Sequence, residues 1–307
     1  MRLVSKLISQ IRKQTENDNS NAIEDGEILQ YLNDAQERIH AVVTAKHPRV
    51  FTEEKVYDIV AGQGAYDLPV NSFLDNKVLN VEYSNTGNTD DYYPLEPITL
   101  KERTNYQGYP VNYIRKSGQI ILDPIPDTGG KIRVNYVKRI PHLDLRRGQI
   151  DLATLDSSNL SITALTLDTS ASVIIDSDAF EDVEYVCIVD RYGNFKMRNI
   201  PVTSVDSSTG TVNVEAGFNY ESTESITSGD YIVVGEDTST HSQLPRNCER
   251  YLIAYGSWKL LKRDSSIDYA EQQQELLGME DDIINSFSDV DEDFTRIPVY
   301  SSFDYWE

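Results

Sequence analysis

Residues 25–60, DGEILQYLNDAQERIHAVVTAKHPRVFTEEKVYDIV, change their apolar period once, and that change decides the fold class. Asp25 reads as an N-cap, a residue type whose side chain accepts from orphan helix N–H groups. Ile28, Leu29, Leu32, Ala35, Ile39, Val42 and Val43 follow at helical spacing and make one apolar face. His47-Pro48 stops the helix, because proline disfavours the α region for the residue before it. Beyond that stop Val56-Tyr57-Asp58-Ile59-Val60 reads as a strand.

Working outward, Leu3, Leu7, Ile8 and Ile11 predict a short amphipathic helix, broken by the polar run 17–21. On the other side Gly62-Gln63-Gly64 reads as a turn and Ala65-Tyr66-Asp67-Leu68-Pro69 as the return strand. Residues 77–83 and 132–137 are further strands, and Thr99-Leu100-Lys101-Glu102 has the capping-box pattern of a short helix. Residues 111–114 and 119–122 flank Ser117-Gly118, a hairpin signal. Asp123-Pro124-Ile125-Pro126-Asp127 is extended but cannot be a central strand, since two of its residues lack the N–H donor.

From Gly148 to Ser242 the composition shifts to Ser, Thr, Asp, Val and Ile. Strand candidates are 160–167, 173–175, 184–189, 195–198, 211–214 and 231–234, separated by turns such as Tyr192-Gly193-Asn194 and Ser208-Thr209-Gly210. Short strands at this spacing predict a small barrel or sandwich. Helix returns after Pro245, placed at a first helical position. Cys248, Tyr251, Leu252, Tyr255, Trp258 and Leu261 make one face, and Asp264-Ser265-Ser266 breaks it. Leu276, Leu277, Ile283, Ile284 and Phe287 make the face of a last helix.

The expected fold class is therefore α+β. The N- and C-terminal segments form a helical bundle that carries a β-hairpin region and an inserted all-β domain. The expected division is a core of residues 1–147 and 243–292, an inserted barrel or sandwich at 148–242, and a C-terminal arm at 293–307. The arm holds Pro298, Tyr300, Phe303, Tyr305 and Trp306 with no period of its own. Such a segment cannot bury these rings against itself, which makes the five residues candidate interface anchors.

Composition narrows the function. The chain has 307 residues, 39% of them hydrophobic, and 50 acidic against 28 basic residues give a net charge of −22. That charge repels nucleic acid phosphates and acidic membranes, so DNA near this surface slides past rather than being gripped. The bland alternative is that the charge only keeps a crowded protein soluble. Cys187 and Cys248 belong to no metal-spaced cluster, which fits synthesis in a reducing cytoplasm. The first residues do not read as a signal peptide, and no stretch is long and apolar enough to span a membrane. The 19 tyrosines suit surfaces buried on assembly.

No catalytic constellation emerges. His40, His47, His142 and His241 make no metal-spaced pair, and His40 is expected at a core edge or in solvent. Gly62-x-Gly64 lacks the third glycine and the helix of a dinucleotide loop. The acidic run Asp289-Val290-Asp291-Glu292-Asp293 fails as a calcium loop, with Phe294 and Tyr300 where glycine and glutamate are needed. Asp176-Ser177-Asp178 fails in the same way at Glu181 and Cys187. Neither an enzyme nor a cofactor is expected. Basic residues follow aromatic or apolar ones in Tyr136-Val137-Lys138-Arg139 and Leu145-Arg146-Arg147, locally like a nucleic-acid strip, but the chain's overall charge argues against that and salt bridges to acidic neighbours are their expected use.

Several pieces in fixed order resemble the head-to-tail adaptor (connector) proteins of tailed bacteriophages, short-tailed ones in particular. They are Tyr31-Leu32-Asn33-Asp34-Ala35-Gln36-Glu37-Arg38-Ile39, Val60-Ala61-Gly62-Gln63-Gly64-Ala65-Tyr66-Asp67-Leu68-Pro69, and Tyr93-Pro94-Leu95-Glu96-Pro97 with Glu102-Arg103. Further matches are Gly108-Tyr109-Pro110-Val111-Asn112-Tyr113, Ile121-Leu122-Asp123-Pro124-Ile125-Pro126-Asp127 and the closing stretch 244–255. The resemblance covers most of residues 1–145 and 243–287. It implies a ring of many copies, commonly twelve, docked under the portal protein and above a downstream tail or nozzle protein. DNA would pass along the ring's channel without sequence-specific binding. It also implies a place in the virion at the head-tail junction, no membrane, and no catalysis. The inserted domain and the aromatic arm, docking on the portal or a neighbouring subunit, depart from the family pattern. A carbohydrate- or receptor-binding tail protein is the alternative, with the β-rich insert and tyrosines as a sugar-stacking face.

Overall fold

The computed structural model describes residues 2–15, 23–69, 72, 77–88, 91–104, 106–155, 162–168, 183–206, 208–215, 226–263 and 269–287. The chain divides into two compact units, one of residues 1–40 with 140–283, the other of residues 41–139 with 284–307. Among the described residues there are four α-helices: α1 (Val4–Gln14), α2 (Asp25–Lys46), α3 (Glu249–Arg263) and α4 (Tyr269–Ser286).

In the second unit the strands are β1 (Thr52–Ile59), β2 (Ala65–Asp67), β3 (Val78–Ser84), β4 (Tyr93–Pro94), β5 (Glu96–Pro97), β6 (Gln107–Gly108), β7 (Asn112–Lys116), β8 (Gln119–Asp123), β9 (Ile125–Pro126) and β10 (Gly130–Val137). They make a sheet of order β1-β10-β3-β4, a sheet of order β2-β8-β7-β5, and the small pair β6-β9. Ile59, Val81, Tyr83, Ile132 and Val134 of the first sheet share one core with Tyr66, Tyr113, Ile120 and Leu122 of the second. Strand β10 alternates buried and half-buried residues along most of its length, the period-2 pattern of a sheet with one face inward. The β7–β8 hairpin closes on Ser117 and Gly118, both at positive φ, as a two-residue turn requires. Gly130 has no room for a side chain: a Cβ there would lie 2.6 Å from the Ser84 carbonyl oxygen.

The expected hairpin of residues 56–69 is not formed. Strand β1 pairs along its whole length with β10, Thr52 opposite Val137 and Ile59 opposite Gly130, while β2 pairs with β8. The turn at 62–64 carries the chain from one sheet to the other: Gly62 N–H donates to Pro126 O, and Tyr66 Oη accepts from Val60 N–H. Eight β1–β10 pairs outweigh the three residues that β2 could offer. The capping box is present, Glu102 accepting from the Thr99 N–H and hydroxyl at 2.8 and 2.9 Å, but it starts only the single 3₁₀ turn Leu100–Glu102.

In the first unit the strands are β11 (His142–Leu143), β12 (Gly148–Leu155), β13 (Ile162–Leu167), β14 (Tyr185–Val189), β15 (Phe195–Asp206), β16 (Thr211–Val214), β17 (Tyr231–Val234) and β18 (Thr238–Ser239). Six of them close a barrel in the order β12-β13-β16-β15-β14-β17. Ile150, Ile162, Leu165, Leu167, Val186, Ile188, Ile200, Val212 and Ile232 fill it. Each fully buried aliphatic of this kind contributes about 1.5–3 kcal/mol. Strand β15 runs well past the expected 195–198, β12 was not expected, and the candidate at 173–175 lies outside the described residues.

The helices of this unit meet through named contacts. Leu7, Ile8 and Ile11 are the buried face of α1. Ile11 fits against Gly256 of α3, and Ser257 Oγ donates to Gln14 Oε1 at 3.0 Å. Glu280 of α4 accepts from Arg38 of α2 at 2.6 and 3.2 Å and from Tyr251 of α3 at 2.6 Å. Several expected positions shift. Asp25 is the first helical residue rather than the cap, and its carboxylate takes two hydrogen bonds from Arg12. Pro245 precedes a 3₁₀ turn, Arg246–Cys248, that leads into α3. Leu260 rather than Leu261 is buried, and Trp258 is only half-buried, because the α3 face turns Gly256, Ser257 and Leu260 inward. Leu277 of α4 is exposed while Leu276 and Ile283 are buried.

Candidate functional site

The five aromatic and proline positions of the expected arm, Pro298, Tyr300, Phe303, Tyr305 and Trp306, lie outside the described residues. So do the two acidic runs at 176–178 and 289–293. Among the described residues no group of three or more His, Cys, Asp or Glu side chains stands close enough to hold a metal ion, and no helix is long and apolar enough to cross a membrane. The histidines are scattered: His40 is buried on α2, His47 precedes the turn Pro48–Phe51, His142 lies on β11, and His241 is buried where it bridges to Leu3.

Two surfaces stand out, each within one unit. The first is the end of the β sandwich. Val60 and Tyr106, each 59% exposed, flank Ile125-Pro126: Gly62 N–H donates to Pro126 O and Ile125 N–H to Tyr106 O. Leu100, Tyr109 and Val111 are exposed on the same stretch of chain. Tyr109 stacks on Tyr93 at 5.4 Å, and Tyr83 meets both rings edge-on. Burial, then the Tyr109 hydroxyl, push the Tyr93 phenol above its usual range, so it stays a neutral donor and bonds Pro110 O at 3.0 Å. Tyr109, with its ring stacked on Tyr93 and 45% exposed, is the kind of side chain that interfaces favour. Sequence reasoning placed Gly108–Tyr113 in a hairpin but missed this exposure, since an alternating strand pattern does not tell which face is covered.

The second is the stalk that carries the barrel. The chain enters the barrel through β11 and leaves it through β18, two strands that run in the same direction and pair in parallel, His142 with Thr238 and Leu143 with Ser239. Asn33 of α2 donates to Leu143 O at 3.0 Å and accepts from Leu143 N–H at 2.7 Å, while Gln36 donates to Pro141 O at 2.7 Å. Val4 N–H of α1 donates to Thr240 O. Above the stalk Arg198 meets Asp237 at 2.8 Å, and Arg147 forks onto Asp144 at 2.7 and 3.0 Å. Arg146 lies over the Tyr231 ring. Within the chain, then, this basic pair is engaged by one carboxylate and one ring. Cys187 is buried beside Asn199 and Gly235, and burial raises its thiol pKa, so it is a poor nucleophile.

A model of the SU10 adaptor protein family matches residues 3–171, and the chain belongs to that family. The match runs from α1 through the sandwich and over β12 and β13, so it covers part of the barrel and stops short of the closing stretch at 244–255. The family makes the chain a phage adaptor and a structural virion protein, located at the head-tail junction. No curated protein matches the chain.

Proposed function

We propose that this chain is the head-to-tail adaptor that assembles as an oligomeric ring, of twelve copies, between the portal protein and a downstream tail or nozzle protein. The observation that carries this reading is the family match over residues 3–171. The net charge of −22 supports a channel through which DNA passes without sequence-specific binding. In this reading the protein performs no catalysis, needs no cofactor, and is made in the host cytoplasm. Helices α1, α3, α4 and the first part of α2 act as one bundle. Residues 1–147 and 243–292 are the adaptor core, 148–242 an inserted domain, and 293–307 an arm. Pro298, Tyr300, Phe303, Tyr305 and Trp306 anchor that arm on the portal or a neighbouring subunit. The exposed tyrosines of the sandwich end fit a subunit contact, since heterologous ring contacts bury two different patches of one protomer.

The test is the mass of the purified protein, alone and with its portal, by native mass spectrometry. Rings alone or on the portal are expected. A protein that stays monomeric in both conditions would refute the reading. Truncation after Glu292 should weaken portal binding and assembly; unchanged affinity would leave the arm without a role.

A further inference from the structure

The first unit carries a basic cleft in a chain that is acidic elsewhere. Arg2, Lys13 of α1, Arg246 of the 3₁₀ turn before α3 and Arg250 in the first turn of α3 line a cleft of about 440 Å³, with Glu249 as its one acid. Through Gln14, Arg250 and Ile253 it continues into a second cleft of about 330 Å³, which adds only Glu275 to the acids. Four cations thus face two carboxylates, a local excess of two positive charges in a chain of net −22. The internal pairing is incomplete. Arg2 is held by Glu249 at 3.3 Å and Gln10 at 2.7 Å. Arg250 reaches Glu275 only at 3.7 Å, between side chains 82% and 59% exposed, which water screens strongly. Lys13 and Arg246 are exposed and make no ion pair among the described residues. A cleft with cations to spare selects an anionic partner.

We infer that this cleft receives the acidic run Asp289-Val290-Asp291-Glu292-Asp293 of a second copy of the chain. That run puts four carboxylates into five residues, and it begins three residues beyond the end of α4. From the end of α4 at Ser286 to Asp293, the last residue of the run, seven residues span at most about 23–25 Å at 3.3–3.6 Å per residue, so the contact is with a protomer packed next to this end of α4. An acidic run on one copy and a basic cleft on the next form a heterologous contact, the kind that closes rings. Duplex DNA is the weaker candidate: its phosphates would have to approach a body of net −22 to reach four cations. The inference rests on the ring reading and names the contact that would hold the ring.

The experiment uses the full chain and reads self-association by sedimentation velocity over a range of concentrations. Two charge-reversed variants are made, Arg246→Glu/Arg250→Glu and Asp291→Lys/Asp293→Lys, and far-UV circular dichroism confirms that each is folded. Each alone should associate about tenfold or more weakly than the unaltered chain, as expected for lost complementary charges. An equimolar mixture of the two should recover association, because every contact between unlike copies is again complementary. Recovery on mixing supports the inference. Variants that associate like the unaltered chain overturn it and leave the ring reading standing. Loss that mixing does not restore means that the run docks on its own chain, which also overturns it. A 20-base-pair duplex retained by the unaltered chain but lost with Arg246→Glu/Arg250→Glu, with association unchanged, assigns the cleft to DNA and overturns it. An unaltered chain that stays monomeric even with its portal removes the ring reading itself, and the inference with it.

Discussion

The packing of α1 on α3 can be tested at one atom. Gly256 faces Ile11, and a Cβ at residue 256 would lie 2.5 Å from Ile11 Cδ1, 3.3 Å from Cγ1 and 3.8 Å from Cγ2. Two effects oppose each other in Gly256→Ala. Alanine is favoured over glycine in a helix interior by about 1 kcal/mol. Against that, a 2.5 Å approach forces the Ile11 side chain out of its well, and Ile11 is fully buried with nowhere to go. Overpacking of this kind costs about 1–3 kcal/mol, so the net change is a loss of about 1 kcal/mol. Ile11→Val alone removes the offending methyl and should cost about 0.5–1.5 kcal/mol. In the double variant the closest approaches become 3.3 Å, which a shift of a few tenths of an ångström relieves, and 3.8 Å, an ordinary contact. The pair should therefore lie within about 0.5 kcal/mol of the unaltered chain, with a favourable coupling of about 1–2 kcal/mol. Urea melts followed by circular dichroism and tryptophan fluorescence measure this, provided the slope m is unchanged. If Gly256→Ala is stabilising by the full helix-propensity increment and the two changes are additive, α1 does not pack on α3 at this point.

Three further outcomes follow from the first unit. Arg38→Ala leaves the carboxylate of Glu280, 7% exposed, with Tyr251 alone; it should cost about 2–3 kcal/mol, the low end for a broken buried pair because Arg38 itself is half exposed. Arg38→Met/Glu280→Gln, which removes both charges and keeps an acceptor for Tyr251, should cost less than Arg38→Ala, and a double variant that costs as much or more would contradict that account. His241 titrates below its ordinary value, chiefly through burial and then through positive charge that includes Lys6, against the opposing pull of Asp190. The unfolded chain therefore binds this proton first, and stability should fall as pH drops from the unfolded value near 6.5 to the depressed folded one. His241→Gln should flatten the melting temperature over that window, and an unchanged pH slope would show that other groups set it. Replacing residues 148–235 with a flexible linker keeps β18, His241 and Ser242 in place and should leave a folded remainder by near-UV circular dichroism; a molten remainder would show that the barrel is part of the core.

Element type was legible wherever one period ran uninterrupted. The α2 face at Ile28, Leu32, Ala35 and Ile39 is fully buried as its spacing requires, and 211–214 and 231–234 are strands with the expected bounds. Pairing was less legible. The turn at 62–64 looks the same whether it folds β2 back on β1 or passes it to the other sheet, and only the competing β10 decides. Strand β12 was missed because its second half, Asp151–Leu155, is largely exposed and carries no clean alternation. On α3 the inward positions Gly256 and Ser257 are small and polar, so a hydrophobic face drawn by apolar residues points toward Trp258 and Leu261 instead. Of the surfaces, the aromatic terminus was visible as composition, whereas the basic cleft draws on residues 2, 13, 246 and 250, which no local pattern connects.

The pairing of β11 with β18 has a consequence for how such a chain can change over generations. The polypeptide enters this segment from β10 and leaves it toward α3 at two points hydrogen-bonded to one another, His142 by Thr238 and Leu143 by Ser239. Whatever lies between those points must only begin and end side by side. Closure entropy grows with the logarithm of length, so lengthening a short turn into a segment as long as 148–234 takes roughly four doublings, about 2–3 kcal/mol. A barrel that fills its own interior, with Ile150, Ile162, Leu165 and Ile188 buried together, offsets that cost many times over. The stalk is thus a socket, in which a change in what it carries leaves untouched the hold of Asn33 and Gln36 on Leu143 and Pro141, and of Gln36 on Ser242 just past β18.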